Sequence, residues 1–354
     1  MTEARVPTSS APEAGDAKVI LITGATDGIG KAAARALAKT GATLVLVGRD
    51  AKKTDAVIAE LQRETEGARI EPLIGDLSRL ADVRALAAAF KARHRRLDVL
   101  VANAGGAFTK KTMTPDGFEL TFALNHLSPF LLTRELLDVL TATPGARVVV
   151  TSSGSHRQGR LRDLEAVARG TGRYSAPRAY GDSKLANVLF TQELARRAPG
   201  VAVHCFHPGF VATGFGQKGV TAREAAAVRF AMTFARTPEK GADTLVWLAT
   251  ADLAGEPSGG YFHDRRRERP TRAASMWLAA ALVVAGAWLG GRVALGAHVP
   301  AVVGELLVGG VVAWRCVAGI PLTWLRGSAE LPARLWAFSE EAVGAAAAGA
   351  APER

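Results

Sequence analysis

From Lys18 onward the chain alternates repeatedly between short, β-branched apolar runs and longer stretches with helical spacing. The apolar runs are 19–23, 43–48, 69–75, 97–103, 146–152 and 201–207, and the helical stretches between them are 29–39, 52–66, 80–94, 117–140 and 180–197. A strand apolar at nearly every position must be covered on both faces, and strands separated by helices pair in parallel through crossovers. Right-handed crossovers predict an α/β fold with a doubly wound parallel sheet, whose ligand crevice lies beyond the carboxyl ends of the strands.

The composition suits such a core. Apolar residues make up 48% of the 354 positions but aromatics only 6%, so packing relies on Ala, Val and Leu. Two cysteines far apart, Cys205 and Cys316, exclude a disulfide scaffold and a cysteine-based zinc site and fit a reducing, cytoplasmic setting. The opening 16 residues are polar, with no apolar core of a secretory signal, and read as a disordered leader. The net charge of +11 admits nucleic acid, anionic lipid or a phosphate-bearing ligand as partner. No interleaving of basic and aromatic residues supports nucleic acid.

The first run leads into Thr23-Gly24-Ala25-Thr26-Asp27-Gly28-Ile29-Gly30 and then a helix. Glycines at a strand-to-helix turn let backbone approach a pyrophosphate, and the helix N-terminus offers free N–H groups to it. The second run ends Gly48-Arg49. No acidic residue is there to hold a ribose 2′-hydroxyl, while an arginine accommodates a 2′-phosphate, so NADP(H) is expected in preference to NAD(H). Asp27, near the same phosphate, opposes that preference. Tyr180 and Lys184 stand four apart and share a helix face. A neighbouring ammonium is expected to lower the Tyr180 phenol toward working pH for proton exchange with an alcohol or carbonyl oxygen.

These motifs recur in order with Asp76-Leu77, Asn103-Ala104-Gly105, Asn125 in LNHLSPFLLT, Ser152-Ser153 and His207-Pro208-Gly209. The set resembles the short-chain dehydrogenase/reductases, and SKLANVLFTQEL with HPGFVATGF resembles their retinol dehydrogenase-like branch. The resemblance covers about residues 17–264. It implies Tyr180 as general acid/base, Lys184 as its partner and a ribose ligand, and Ser153 on the substrate oxygen. Asn125 would hold a water that links Lys184 to solvent. Cofactor contacts would come from Gly24, Thr26, Asp27, Gly28, Ile29, Gly30, Arg49, Asp76, Leu77, Asn103, Ala104, Gly105, Tyr180, Lys184, Pro208, Gly209, Val211 and Thr213. Ser153 precedes Tyr180 by 27 residues through an insertion that resembles the same branch, with Ser152 and Ser155 as substitutes for it. The implied activity interconverts an apolar alcohol and its aldehyde or ketone with NADP(H). A dinucleotide-binding regulator on the same fold is the alternative, against which stand the retained Asn125, Ser153, Tyr180 and Lys184. No metal site is expected: His126 and His156 lack partners at ligand spacing, and His207 resembles a family turn residue. Association of copies of the chain is left open.

The alternation stops after Phe262. Residues 265–329 hold a basic cluster, with arginines at 265, 266, 267, 269 and 272, and then an apolar, glycine-rich insertion. Residues 330–354 resemble the family's tail, with Arg334-Leu335-Trp336 and Ser339-Glu340-Glu341 at its helix. Residues 277–291 carry no charge, but a spanning helix needs about 20 apolar residues, and Arg292, Glu305 and Arg315 interrupt the run. Membrane contact through 275–328, a cap or interface, and an insertion without a role all remain open.

Overall fold

The computed structural model describes residues 17–211, 235–253, 255–270 and 330–347. In chain order it contains β1 (Val19–Thr23), α1 (Gly28–Ala38), β2 (Thr43–Gly48), α2 (Ala51–Glu64), β3 (Arg69–Ile74), α3 (Leu80–Arg93) and β4 (Val99–Ala102). Then come α4 (Leu120–Phe122), a π-helical turn (Ala123–Leu127), α5 (Ser128–Glu135), α6 (Leu137–Ala142), β5 (Arg147–Thr151), a 3-10 turn (Gly154–Gln158), α7 (Leu164–Arg169) and α8 (Ala176–Arg197). β6 (Ala202–Phe206), α9 (Pro238–Thr250), β7 (Gly260–His263), β8 (Arg266–Glu268) and α10 (Leu331–Ala347) complete the described elements.

One sheet runs in the order β3-β2-β1-β4-β5-β6-β7-β8, parallel from β3 to β7 and antiparallel only at β8. The doubly wound parallel fold is as the alternation predicts. Period-two side-chain direction splits β1 between two cores. Val19 and Leu21 join Phe90, Phe130, Leu189 and Trp336 on the side of α3, α5, α8 and α10. Ile20 and Ile22 join Ala33, Leu37, Leu61 and Leu245 on the side of α1, α2 and α9. The order reverses between β1 and β4, and Ile22 pairs with Val101 there, so the loop after β1 lies beside the loop after β4. That juxtaposition is the topological switch point where such sheets bind ligands.

Four departures from the sequence reading have local causes. The helix expected over 117–140 starts at Leu120, passes through the π turn at Ala123–Leu127 and breaks at Leu136. Pro129 contributes to the first break, because it has no N–H to offer the Asn125 carbonyl in an α-helical bond. The helix expected from Tyr180 starts earlier, at Ala176, with Pro177 in its first turn, where a missing N–H costs nothing. Strands β3 to β6 are each shorter than their apolar runs, which reach into the flanking turns. The sheet continues through β7 and through β8, whose Arg-Arg-Glu sequence carries no apolar period; charged residues suit an edge strand.

Candidate active site

The loop after β1 is shaped by close approach. Gly24 has φ +66°, and a Cβ on it would lie 2.9 Å from Ala104 Cα. A Cβ on Gly30 would lie 2.1 Å from the Gly24 carbonyl oxygen and 2.6 Å from Asn103 Nδ2. Asn103 ties the two loops: its Nδ2 donates to the Thr23 carbonyl (3.1 Å), and its Oδ1 accepts from Thr151 Oγ1 (3.2 Å). Thr23 Oγ1 accepts from the backbone N–H groups of Asn103 and Ala104 (2.9 and 3.0 Å). Asp27 caps α1, accepting from the Gly28 N–H, and no acidic residue stands in the first turn of the helix. A helix N-terminus behind a turn with glycines at 24, 28 and 30 fits a dinucleotide pyrophosphate.

Charge at the end of β2 is arranged differently from the sequence reading. Thr26 lies against Gly48, its Cγ2 3.2 Å from where a Gly48 Cβ would be. Arg49 is exposed, and Asp50 caps α2 by accepting from the Lys53 N–H (3.0 Å). Lys53 Nζ reaches back to Asp27 Oδ2 at 3.2 Å. Partial burial works against ionisation of Asp27, but Lys53 and the Gly28 N–H hold its carboxyl below the usual range. The acidic side chain expected to oppose a phosphate is therefore paired with a lysine that the sequence motifs did not single out. Asp76 instead bonds Ser78, through Ser78 N–H and Oγ (2.9 and 2.8 Å), and Leu77 is buried.

Asn125 sits in the π turn, fully buried. Its Oδ1 accepts from the Gly106 N–H (2.8 Å), and its Nδ2 donates to the Gly106 carbonyl (2.9 Å) and Ser183 Oγ (3.0 Å). A Cβ on Gly105 would lie 2.9 Å from Asn125 Oδ1 and 3.4 Å from Lys184 Nζ, so the β4 loop lies against both. Lys184 is buried, donates to the Thr151 carbonyl at 3.0 Å, and has its Nζ 5.6 Å from the centre of the Tyr180 ring. Ser153 Oγ hydrogen-bonds Tyr180 and accepts from the Ser155 N–H (3.2 Å). Ser152, by contrast, faces away, its Oγ bonded to the Lys184 carbonyl at 2.9 Å. The structure thus brings Asn125, Ser153, Tyr180 and Lys184 together.

The protonation state departs from expectation. Burial pushes the Tyr180 phenol up to about 12, against the opposing hydrogen bond from Ser153, and pushes Lys184 down to about 8. The expected lowering of the phenol by its ammonium neighbour is reversed, because desolvation penalises phenolate and ammonium alike.

Beyond β6, Gly209 follows Pro208 with φ +79° and donates its N–H to His207 Nδ1 at 3.3 Å, and Val211 bridges to Arg236. Val211 and Ile29 converge on α9, lying 2.8 Å and 3.2 Å from where a Gly241 Cβ would be. Thr213 and the segment 275–328 lie outside the described residues. Cys205 is a core residue whose thiol burial pushes up to about 12. Among the described residues, His207, His263 and Glu268 bring ligand-type atoms within 4.8 Å of one another. The two imidazoles are stacked at 3.8 Å and 15°, so an ion in the plane of one ring lies well off the plane of the other. Among the described residues no helix is long and apolar enough to cross a membrane.

The short chain dehydrogenase family matches residues 18–224. A Streptomyces protein named for daunorubicin C-13 ketoreduction is 43% identical over 75% of this chain and 92% of its own. Mouse retinol dehydrogenase 12 is 39% identical over 71% of this chain and 78% of its own. A crystal structure of a Mycobacterium paratuberculosis protein superposes with TM-score 0.58 at 32% identity, covering 77% of this chain and 95% of that one. An alcohol dehydrogenase of Thermococcus sibiricus, solved with 5-hydroxy-NADP, does so with TM-score 0.52 at 27% identity, covering 66% and 90%. The fold and these matches define an oxidoreductase class. The chain belongs to the short-chain dehydrogenases, in company with retinol dehydrogenases and a ketoreductase.

Proposed function

We propose that the protein is an NADP(H)-dependent reductase of apolar aldehydes or ketones, with Tyr180 as the proton donor. The observation that carries this reading is the convergence of buried Asn125 and Lys184 with half-buried Ser153 and Tyr180 at the carboxyl end of the sheet, beside a glycine-containing loop that leads into the N-terminus of α1. When bound, the nicotinamide supplies or takes up a hydride at C4. The backbone from Gly24 to Gly30 would hold the pyrophosphate, with Arg49 and Lys53 toward the 2′-phosphate. Asp76 and Leu77 would border the adenine. Asn103, Ala104 and Gly105 would line one side of the cofactor, and Pro208, Gly209, Val211 and Thr213 the nicotinamide end.

Ser153 would hydrogen-bond the substrate oxygen and stabilise charge that develops there. A phenol held up to about 12 is protonated at neutral pH, the form that carbonyl reduction requires. Lys184 would steady the phenolate left behind and be reprotonated through a water on Asn125. The 43% identity to a protein named for ketoreduction supports the reductive sense.

NADPH and NADH oxidation by the purified chain against aliphatic, aromatic and terpenoid carbonyls tests the reading. Tyr180→Phe is expected to lower kcat by about 10²–10⁴-fold with NADPH binding kept. Turnover that survives this change removes the assigned acid. Binding of NADPH without turnover of any carbonyl would favour a regulatory role instead.

A further inference from the structure

One buried hydrogen-bond chain runs from the C-terminal helix to the candidate active site. Ser339 on α10 lies 3.1 Å from His126 Nε2, and His126 Nδ1 lies 3.2 Å from Asn187 Oδ1. Asn187 Nδ2 donates to the Asn125 carbonyl at 2.9 Å and to the Thr151 carbonyl at 3.3 Å. The Thr151 carbonyl also accepts from Lys184 Nζ at 3.0 Å. Ser339, His126 and Asn187 are each at most 1% exposed.

The hydrogen pattern is forced from one end. Both backbone carbonyls can only accept, so the Asn187 amide nitrogen must face them and its oxygen must face His126. His126 then carries its proton on Nδ1, which leaves Nε2 as an acceptor and Ser339 as the donor to it. Burial holds His126 near a pKa of about 4, so this neutral ring persists at physiological pH. The side chain one residue past Asn125 and the side chain one helical turn past Lys184 are thereby locked to each other. Pro129 contributes, since it offers the Asn125 carbonyl no α-helical N–H. Around the chain, Trp336 of α10 packs edge-on to Phe130 at 5.0 Å and stacks on Phe190 at 6.1 Å.

We propose that His126 and Asn187 are positioning residues that align Asn125 with Lys184, and that Ser339 makes the C-terminal helix part of that alignment. The inference rests on the roles assigned above to Asn125 and Lys184. It makes α10, remote in sequence, a component of the active site rather than a cover over apolar surface.

The test separates hydrogen bonding from packing at position 126. His126→Asn keeps a donor the same number of bonds from the backbone as Nδ1. His126→Phe keeps ring packing among Phe122, Phe130 and Phe190 but removes both bonds. With NADPH and the carbonyl that the wild type reduces fastest, the Phe variant should lose about tenfold or more in kcat at unchanged cofactor KM. The Asn variant should stay within about threefold of wild type, even where it is the less stable of the two. Wild-type kcat in the Phe variant, or losses that simply follow Tm in both, overturns the proposal. Ser339→Ala, which removes one atom, decides the matter if the Phe variant does not fold: a fall in kcat of about two- to fivefold is expected, and no change overturns the role of α10. A crystal structure of His126→Phe reads alignment without turnover, and an unmoved Asn125–Lys184 pair there overturns the proposal. Loss of activity in Tyr180→Phe with wild-type kcat in His126→Phe would sink this inference alone.

Discussion

Arg49 and Lys53 show how one side chain changes meaning with its neighbour. Arg49 is exposed just past the end of β2, and Lys53, in the first turn of α2, pairs with Asp27 at 3.2 Å. A 2′-phosphate arriving there would meet two cations and a paired carboxylate in place of a free one. Arg49→Ala and Lys53→Ala should each weaken NADPH binding by about tenfold while leaving NADH binding within about twofold, as read by cofactor fluorescence titration. Equal losses for both cofactors would remove the 2′-phosphate from either residue. Lys53→Ala carries an added consequence, because it frees Asp27 to repel the phosphate. The same dependence on surroundings governs Tyr180. Four-residue spacing to Lys184 was legible in the sequence, but the direction of the phenol's shift was not, because burial is a property of the fold.

Elements meet at the switch point through backbone rather than side chains. The β1–α1 turn can lie against β4 only because Gly30 leaves room for the Gly24 carbonyl, 2.1 Å from where its Cβ would be. Gly30→Ala must therefore push the turn away from Asn103. Overpacking of this kind costs about 1–3 kcal/mol, and the displaced loop should also bind NADPH at least about tenfold more weakly. Thermal unfolding and fluorescence titration read the two effects. A variant with wild-type affinity would show that the loop does not carry the pyrophosphate. The alternation placed β1 to β6 and most of their helices because burial on both faces leaves an apolar run at the inner strands, and the part-exposed edge strand β3 keeps enough of the pattern to be read. It missed the short β7 and also β8, where pairing to Tyr261 and Phe262 rather than apolar pattern makes the strand. It also ran one helix through the π turn, to which Pro129 contributes by offering the Asn125 carbonyl no N–H, a local detail that a 3.6-residue period does not register.

Across the molecule, buried histidines couple stability to pH. His126, His204 and His207 are each pushed down to about 4, burial being the largest cause in all three. Their unfolded values lie near 6.5. Between those limits the unfolded chain binds more protons than the folded one, so stability is complete above about pH 6.5 and is lost as pH falls toward 4. Chemical denaturation at a series of pH values should show this slope. His126→Asn should reduce it by about one proton, and an unchanged slope would show that His126 does not titrate with unfolding. At this scale α10 closes the core on the α3, α5 and α8 side. Arg197 lies 4.7 Å over the Trp336 ring, and Arg134 pairs with Glu340.

The sequence alone determined β1 to β6 of the sheet, their winding and the order of motifs along them, because strand burial and turn chemistry are local and repeat with a readable period. It also named Asn125, Ser153, Tyr180 and Lys184, through residue types at recurring positions after successive strands. Only the tertiary structure decided which serine faces Tyr180, that Asp27 is paired, and which way the phenol is shifted. Only it joined Ser339 to Asn187 across 152 positions of chain through His126. Those outcomes depend on desolvation and on partners distant in the chain, which no spacing along a single chain encodes.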